Sequence, residues 1–252
     1  MCRFKSGIIL KDRVFIPDYD SHTEMLEELK IADTEDNAER LFVRAELVPP
    51  NDDIFTPESS WKYYVDQDIL PDWYVAEVDE MRMREAVTAW AKEHIHVGEK
   101  IERIDSGTHW IKDCEVRYIC GSAEVGYIYD SAKVGNICGS AEVGNIYGSA
   151  EVGNICDSAE VGYICDSAKV GYICGSAKVG YIYDSAKVGY IYGSAKVGYI
   201  YDSAIIETAK YSIWEHIKSV CIKDEAVLID RYNNKIYHSG AFETVIVGGK
   251  KK

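Results

Sequence analysis

The sequence contains no long apolar run and has a deficit of basic residues. Its apolar runs are short, such as Ile8-Ile9-Leu10, so we expect no segment that spans a bilayer and no export signal. Lys and Arg number 28 against 42 Asp and Glu, which gives a formal net charge of −14. Because nucleic acids and anionic lipids bind to clustered cations, we expect neither partner and predict a cytoplasmic protein.

The common catalytic signatures are also missing. The sequence has no P-loop, no dinucleotide-binding glycine pattern and no Gly-x-Ser-x-Gly nucleophile motif. Without an export signal, the 8 cysteines are expected to be thiols and not a disulfide framework. The composition excludes a collagen, a membrane protein and a wholly disordered chain.

An internal repeat fills the middle of the chain. The unit Val-Gly-(Tyr/Asn)-Ile-(Tyr/Cys)-(Asp/Gly)-Ser-Ala-(Lys/Glu) recurs ten times without insertion over residues 116–205, except that the first copy has Arg117 in place of Gly and the tenth copy ends in Ile205. A glycine in every unit is costly in a helix, whereas a β-branched and aromatic run followed by Asp/Gly-Ser is typical of a strand and a turn. The repeat therefore predicts a mainly β protein built on a parallel β-solenoid.

The variable positions predict 18 residues per coil, with two nonamers on opposite sides. At the fifth position, the odd copies have Cys120, Cys138, Cys156, Cys174 and Tyr192, and the even copies have Tyr129, Tyr147, Cys165, Tyr183 and Tyr201. Like residues thus stack if every second nonamer lies on the same side. Duplication of an 18-residue unit in the gene would leave the same pattern.

The invariant positions predict which side chains point inward. Val, Ile and Ala never change, as in Val134, Ile137 and Ala141, and they suit a narrow interior. We expect Gly in the second place and Ser in the seventh to form corners. The exchangeable tyrosines should form two ladders on the outside, and we predict that these bind a partner. One ladder consists of Tyr163, Tyr172, Tyr181, Tyr190 and Tyr199, and the other of Tyr183, Tyr192 and Tyr201, with Tyr181, Tyr190 and Tyr199 or Tyr183, Tyr192 and Tyr201 as the column at the centre of the interface.

The unit resembles two repeat families. Its nine-residue length is similar to the calcium-binding nonapeptide of the RTX β-roll, and the step Ala-Lys-Val resembles the pentapeptide-repeat solenoids, some of which mimic DNA. Both resemblances imply a coil. The RTX motif has an Asp at a fixed place, whereas half of the copies here have Gly, as at Gly148. We therefore expect no calcium and no cofactor.

The flanking segments predict four regions. Residues 1–100 read as an α+β domain, with a hairpin of Gly7–Leu10 and Arg13–Pro17, a helix from the Ser21 capping box to Ile31, a strand at Leu41–Val48 and a helix at Val78–Ile95. Residues 101–115 are expected to form a leading cap and 116–205 the solenoid. Residues 206–252 are expected to form a C-terminal cap and a hairpin around Tyr232–Lys235.

Cysteine and histidine supply the chemical candidates. Removal of Met1 would leave Cys2 with a free α-amine beside a thiol, as in N-terminal nucleophile hydrolases, and Met1-Cys2 also resembles the start of SRAP-type proteins, which trap abasic DNA. His94 and His96 could hold a metal, although a histidine at a helix end is favourable by itself. If Cys120, Cys138, Cys156 and Cys174 stack, they form a line, which is the wrong shape for one tetrahedral zinc ion. The alternative interpretation is that these cysteines are small side chains that replace Tyr.

Two classes of function follow from the sequence. The favoured one is a non-catalytic binding or scaffolding protein that forms homo-oligomers or binds a protein partner through its tyrosine ladders, because the repeats distribute one surface along a rod. The alternative is an enzyme with Cys2 as its nucleophile and the solenoid as an appendage. An acidic decoy that mimics DNA is a third possibility.

Overall fold

A computed structural model describes residues 5–208, 220–231, 233 and 235–238. It divides into two compact units, Met1–Ile95 and His96–Lys252. Cys2, the segment Ile213–Ile217 expected in the C-terminal cap, and Tyr232 in the expected turn lie outside the described residues.

The first unit contains an antiparallel four-stranded sheet, with the strand order β2-β1-β3-β4, and three α-helices. Its elements are β1 Lys5–Leu10, β2 Val14–Phe15, α1 His22–Glu28, α2 Glu35–Ala38, β3 Phe42–Val48, β4 Lys62–Val65 and α3 Ala76–His94. The two short 3-10 turns are Pro50–Asp52 and Glu58–Ser60. This architecture agrees with the α+β class predicted for the segment.

Local signals explain both ends of α1. The Ser21 hydroxyl accepts a hydrogen bond from the Glu24 backbone N–H at 3.3 Å, which is the capping contact expected from the sequence. The helix ends at Glu28, before the predicted Ile31, because Lys30 has a left-handed φ of 58° and the Ile31 N–H bonds to the Leu26 carbonyl. This arrangement is a Schellman motif, which stops a helix.

The helix α3 buries the apolar positions that its sequence spacing predicts. Met83, Val87, Trp90 and Ala91 are all buried. Met83 packs on β1, where a Cβ added to Gly7 would come within 2.9 Å of the Met83 Cε atom. The helix therefore covers one face of the sheet.

The second unit is a parallel β-solenoid of about seven coils, each of 18 residues. One sheet has nine strands in the order β21-β20-β18-β16-β14-β12-β10-β8-β6, and the other has eight in the order β19-β17-β15-β13-β11-β9-β7-β5. The strands are β5 Ile95–Val97, β6 Lys100–Ile104, β7 Thr108–Lys112, β8 Glu115–Ile119, β9 Glu124–Tyr129, β10 Lys133–Ile137, β11 Glu142–Ile146, β12 Glu151–Ile155, β13 Glu160–Ile164, β14 Lys169–Ile173, β15 Lys178–Ile182, β16 Lys187–Ile191, β17 Lys196–Ile200, β18 Ile205–Thr208, β19 Cys221–Ile222, β20 Val227–Asp230 and β21 Lys235–His238.

Strand pairing confirms the predicted period. Val134 pairs with Val152, and Ile137 pairs with Ile155, so equivalent residues of every second nonamer stack in register. Odd copies of the repeat build the nine-stranded sheet, and even copies build the eight-stranded sheet.

The interior consists of the three invariant residue types. Val143, Ile146 and Ala150 have relative exposures of 3%, 0% and 0%, and the other copies are equally buried. Val and Ile are three positions apart yet both point inward, so the two-residue alternation of the strand breaks between them. Gly and the third-position residue therefore both lie on the outer side.

The corners differ from the sequence expectation for glycine. The left-handed residue is the sixth one, as in Asp166 with a φ of 55° and Gly175 with a φ of 64°, which explains why Asp and Gly exchange there. The second-position Gly lies within the strand. A Cβ at Gly162 would stand 2.6 Å from the carbonyl oxygen of Gly144, so the close approach of neighbouring coils requires glycine.

The solenoid begins before the first recognised repeat. Residues 101–115, which we expected to form a leading cap, contain most of β6, all of β7 and the start of β8. Ile101 pairs with Val116, and Ile104 pairs with Ile119. Ile101 and Ile104 keep the three-residue spacing of the inward Val and Ile, so this segment forms coils without the rest of the motif. At the other end, β20 and β21 pair antiparallel as a hairpin.

Candidate binding surface

The outer side of the eight-stranded sheet carries two adjacent columns of stacked tyrosines. The rings of Tyr163, Tyr181 and Tyr199 stack with centroids 5.0 and 5.1 Å apart. Beside them, Tyr183 stacks on Tyr201 at 4.9 Å. Edge contacts of 6.3 and 6.5 Å join the two columns. We call these five residues the aromatic face.

The remaining predicted tyrosines lie on the opposite sheet. Tyr172 and Tyr190 stack at 5.6 Å, and Tyr192 contacts Tyr172 edge-on at 6.3 Å. The expectation that Tyr181, Tyr190 and Tyr199 form one column, or Tyr183, Tyr192 and Tyr201 another, is therefore wrong. Consecutive nonamers lie on opposite sheets, so each of these sets is divided between two surfaces.

Charged residues form a further column on each sheet, and the two columns differ. On the eight-stranded sheet three acids are followed by two bases: Glu124, Glu142, Glu160, Lys178 and Lys196. On the nine-stranded sheet the signs are mixed along the column: Glu115, Lys133, Glu151, Lys169 and Lys187. The eight-stranded sheet thus has an acidic end and a basic end on its outer face. The sequence contained this signal in the ninth position of the unit, once the copies are read at 18-residue intervals.

An open groove runs over the second-position glycines beside the charged column of each sheet. The groove on the nine-stranded sheet has a volume of about 980 Å³, and its floor includes Gly135, Gly153 and Gly171. The corresponding groove on the eight-stranded sheet has a volume of about 710 Å³ and includes Gly144 and Gly162. Both are long and shallow, which suits an extended surface contact better than the enclosure of a small molecule.

The turn aspartates bind the backbone of the neighbouring coil. Asp184 accepts a hydrogen bond from the Asp166 N–H at 3.2 Å, and Asp166 accepts one from the Gly148 N–H at 2.9 Å. These carboxylates satisfy turn N–H groups that have no strand partner. Cys165, Asp166 and Asp184 offer ligand atoms within 4.8 Å of one another. That set has two carboxylates, whereas calcium takes six to eight oxygen ligands.

Four thiols form a column along the nine-stranded sheet, each one residue after the end of a strand. Cys120, Cys138, Cys156 and Cys174 follow the in-register residues Ile119, Ile137, Ile155 and Ile173, and all four are free. Burial and the hydrogen bond to the Cys138 thiol raise the pKa of Cys120 to about 11. Burial also raises the pKa values of Cys138 and Cys156. The hydrogen bond to Cys174 and partial burial raise the pKa of Tyr192, the next residue of the column, to about 12.

The first unit holds a polar cluster that the sequence analysis missed. His22, Glu46 and Asp66 offer ligand atoms within 4.8 Å of one another, and the His22 Nδ1 atom lies 3.3 Å from the Asp66 Oδ2 atom. His22 and Glu46 are buried, and Asp66 is exposed. The three residues come from α1, β3 and the residue after β4, so no short sequence motif predicts that they lie together.

The histidines considered for a metal have other contacts. His94 lies 3.2 Å from a carboxylate oxygen of Asp18 and stacks on the Trp90 ring. His96 lies 3.1 Å from a Glu99 carboxylate oxygen and 3.1 Å from His109. His94 belongs to the first unit and His96 to the second.

Comparisons with models of protein families, with curated proteins and with solved structures found no match. They support neither the RTX resemblance nor the pentapeptide-repeat resemblance, and the β-solenoid itself rests on the strand pairing described above. None of the helices in the described ranges combines the length and apolar character needed to cross a bilayer.

Proposed function

We propose that this chain is a non-catalytic scaffolding protein that self-associates through the aromatic face of its eight-stranded sheet. The observation that carries the proposal is the combination, on that sheet, of stacked tyrosines with a charge column divided into an acidic and a basic end. Tyrosine presents a rigid apolar ring with a polar tip, and it is enriched at protein interfaces. The opposite sheet has fewer stacked tyrosines and no division of charge.

The charge column selects one arrangement of two copies. A two-fold axis parallel to the strands places the two solenoids antiparallel, with each column facing the same column of the partner. Glu124 and Glu142 then face Lys196 and Lys178 of the partner copy, and Glu160 faces Glu160. In this arrangement Tyr163 faces Tyr163, and Tyr183 and Tyr201 face Tyr147 and Tyr129 of the partner copy. A parallel arrangement gives no such match, because like-charged ends lie side by side.

The size of the face predicts the strength of the association. Five strands spaced by about 4.8 Å, each about 17 Å long, cover less than the roughly 800 Å² per partner of a standard interface. We therefore expect a dissociation constant in the micromolar range, and the measurement must reach high protein concentration.

The test compares two variants. One lacks a tyrosine column of the aromatic face, and the other lacks tyrosines at the same repeat position of the opposite sheet. The variant Tyr163→Ser/Tyr181→Ser/Tyr199→Ser removes the central column of the aromatic face. The matched control, Tyr118→Ser/Tyr172→Ser/Tyr190→Ser, changes the same repeat position on the nine-stranded sheet. Neither variant touches the buried Val, Ile and Ala, so both should fold, with similar falls in melting temperature.

Sedimentation equilibrium over a concentration series supplies the readout. We expect the wild type and the control variant to form dimers at about the same protein concentration. The aromatic-face variant should remain a monomer at about ten times that concentration. A wild type that is a monomer throughout would rule out self-association and leave a foreign protein as the partner. Equal weakening by both variants would rule out the eight-stranded sheet as the specific interface.

A further inference from the structure

The thiol column on the nine-stranded sheet is a second feature with a defined geometry. The N–H groups of Cys138, Cys156 and Cys174 each donate to the carbonyl of the Ile one coil earlier, at 2.9 Å in all three cases. The backbone therefore holds the four cysteines in register. The register places Cys120 beside Cys138 and Cys156 beside Cys174 on neighbouring coils. The Cys120 thiol donates a hydrogen bond to the Asp105 carboxylate at 3.6 Å, and the Cys156 thiol donates one to the Ile137 carbonyl at 3.7 Å.

The spacing of the column matches a two-coordinate metal ion. Neighbouring parallel strands lie about 4.8 Å apart. A metal–thiolate bond is about 2.3 Å long, as for zinc, so an ion midway between two sulfurs needs them about 4.6 Å apart. A tetrahedral ion needs four sulfurs around one point, which a straight column does not supply. Soft thiolate ligands favour both Cu(I) and zinc, and of these two ions Cu(I) accepts two collinear sulfurs.

We propose that the thiol column binds Cu(I), with one ion between Cys120 and Cys138 and a second between Cys156 and Cys174. Each ion displaces two thiol protons and leaves a bis-thiolate complex with a charge of −1. Two ions therefore release four protons. The copper enters and remains as Cu(I), so the step needs no oxidant or reductant.

The experiment titrates the full chain with Cu(I), supplied as its acetonitrile complex without oxygen, against the chromogenic chelator bicinchoninate. The variant Cys138→Ser/Cys156→Ser removes one thiol from each pair. The matched control Cys165→Ser changes the same repeat position on the opposite sheet, where the stacked neighbours are Tyr147 and Tyr183. Cys2, Cys114 and Cys221 are present in every protein, so their binding cancels in the comparison.

We expect the wild type and Cys165→Ser to withhold two more copper ions from the chelator than the double variant, with native mass spectrometry giving the same difference. Melting temperatures within a few degrees of one another would show that all three proteins are folded. Equal copper binding by the double variant and the wild type would overturn the site. Zn(II) binding that is tighter than Cu(I) binding and lost in the same variant would overturn the collinear geometry.

Discussion

At the scale of the residue, glycine has two roles within one repeat. The second-position Gly permits the close approach of neighbouring coils, and the sixth-position Gly permits a left-handed turn. The turn also accepts Asp, because Asp tolerates a positive φ and its carboxylate bonds to the N–H of the adjacent coil. The strand position accepts no side chain, since a Cβ at Gly162 would meet the carbonyl oxygen of Gly144 at 2.6 Å.

These roles predict opposite outcomes for two substitutions. Gly162→Ala should lower the free energy of unfolding by about 1 to 3 kcal/mol, because the new Cβ forces two backbones apart. Gly193→Asp should change it by less than about 1 kcal/mol, because a hydrogen bond to the Gly175 N–H offsets the strained φ. Urea unfolding followed by circular dichroism measures both. A Gly162→Ala protein as stable as the wild type would contradict the close approach.

At the scale of the element, the strand is the unit that the repeat copies. Each strand contributes one Val and one Ile to the interior, and each turn contributes one Ala. Because a strand contacts mainly its neighbours two nonamers away, removal of a whole coil brings equivalent residues together again. A deletion that is not a multiple of the unit moves the apolar residues to the outer side.

A pair of deletions tests this element-level account. Deletion of residues 143–160 removes one strand from each sheet, so the chain should fold and its melting temperature should fall by only a few degrees. Deletion of residues 143–150 removes fewer residues but shifts the following register by one position, so the repeats should fail to unfold cooperatively. Thermal circular dichroism distinguishes them. If deletion of residues 143–150 lowered the melting temperature less than deletion of residues 143–160, the assigned register would be contradicted.

At the scale of the whole molecule, charge is distributed so that one surface is self-complementary. The chain has a net charge of −14, which opposes association at long range. The ordered column of the eight-stranded sheet places four of its five charges against opposite charges in the antiparallel dimer that we propose, and only Glu160 faces its own counterpart. Lys178 also contacts Glu160 of its own chain at 2.5 Å, but both side chains are more than half exposed, so this pair contributes little stability.

A charge exchange tests the antiparallel pairing. Lys178→Glu/Lys196→Glu and Glu124→Lys/Glu142→Lys should each weaken self-association, because like charges then face each other. An equimolar mixture of the two should associate about as strongly as the wild type, since every reversed position meets its opposite. Analytical ultracentrifugation at low salt measures the three cases. A mixture that stays monomeric, or one variant that dimerises normally, would contradict the arrangement.

The sequence by itself determined the repeat unit, its inward residues and the 18-residue coil. Val134, Ile137 and Ala141 could be placed inside because these positions never change and their small or β-branched apolar side chains suit a narrow interior, and the fifth-position pattern separated odd from even copies. The main elements of the first unit followed from local signals such as the Ser21 cap and the spacing of Met83, Val87 and Trp90. These are short-range or periodic properties of the chain, so they can be read without coordinates.

Only the tertiary structure shows which outward residues share a surface and why the second position of the unit requires glycine. Tyr181 and Tyr199 stack whereas Tyr190 lies on the other sheet, because closure of the coil sends alternate nonamers to opposite sides. Ile101 and Ile104 form a coil because strand pairing needs only inward apolar residues three positions apart, and not the whole motif. Contacts between residues 18 positions apart depend on how successive coils stack, and that stacking exists only in the folded chain.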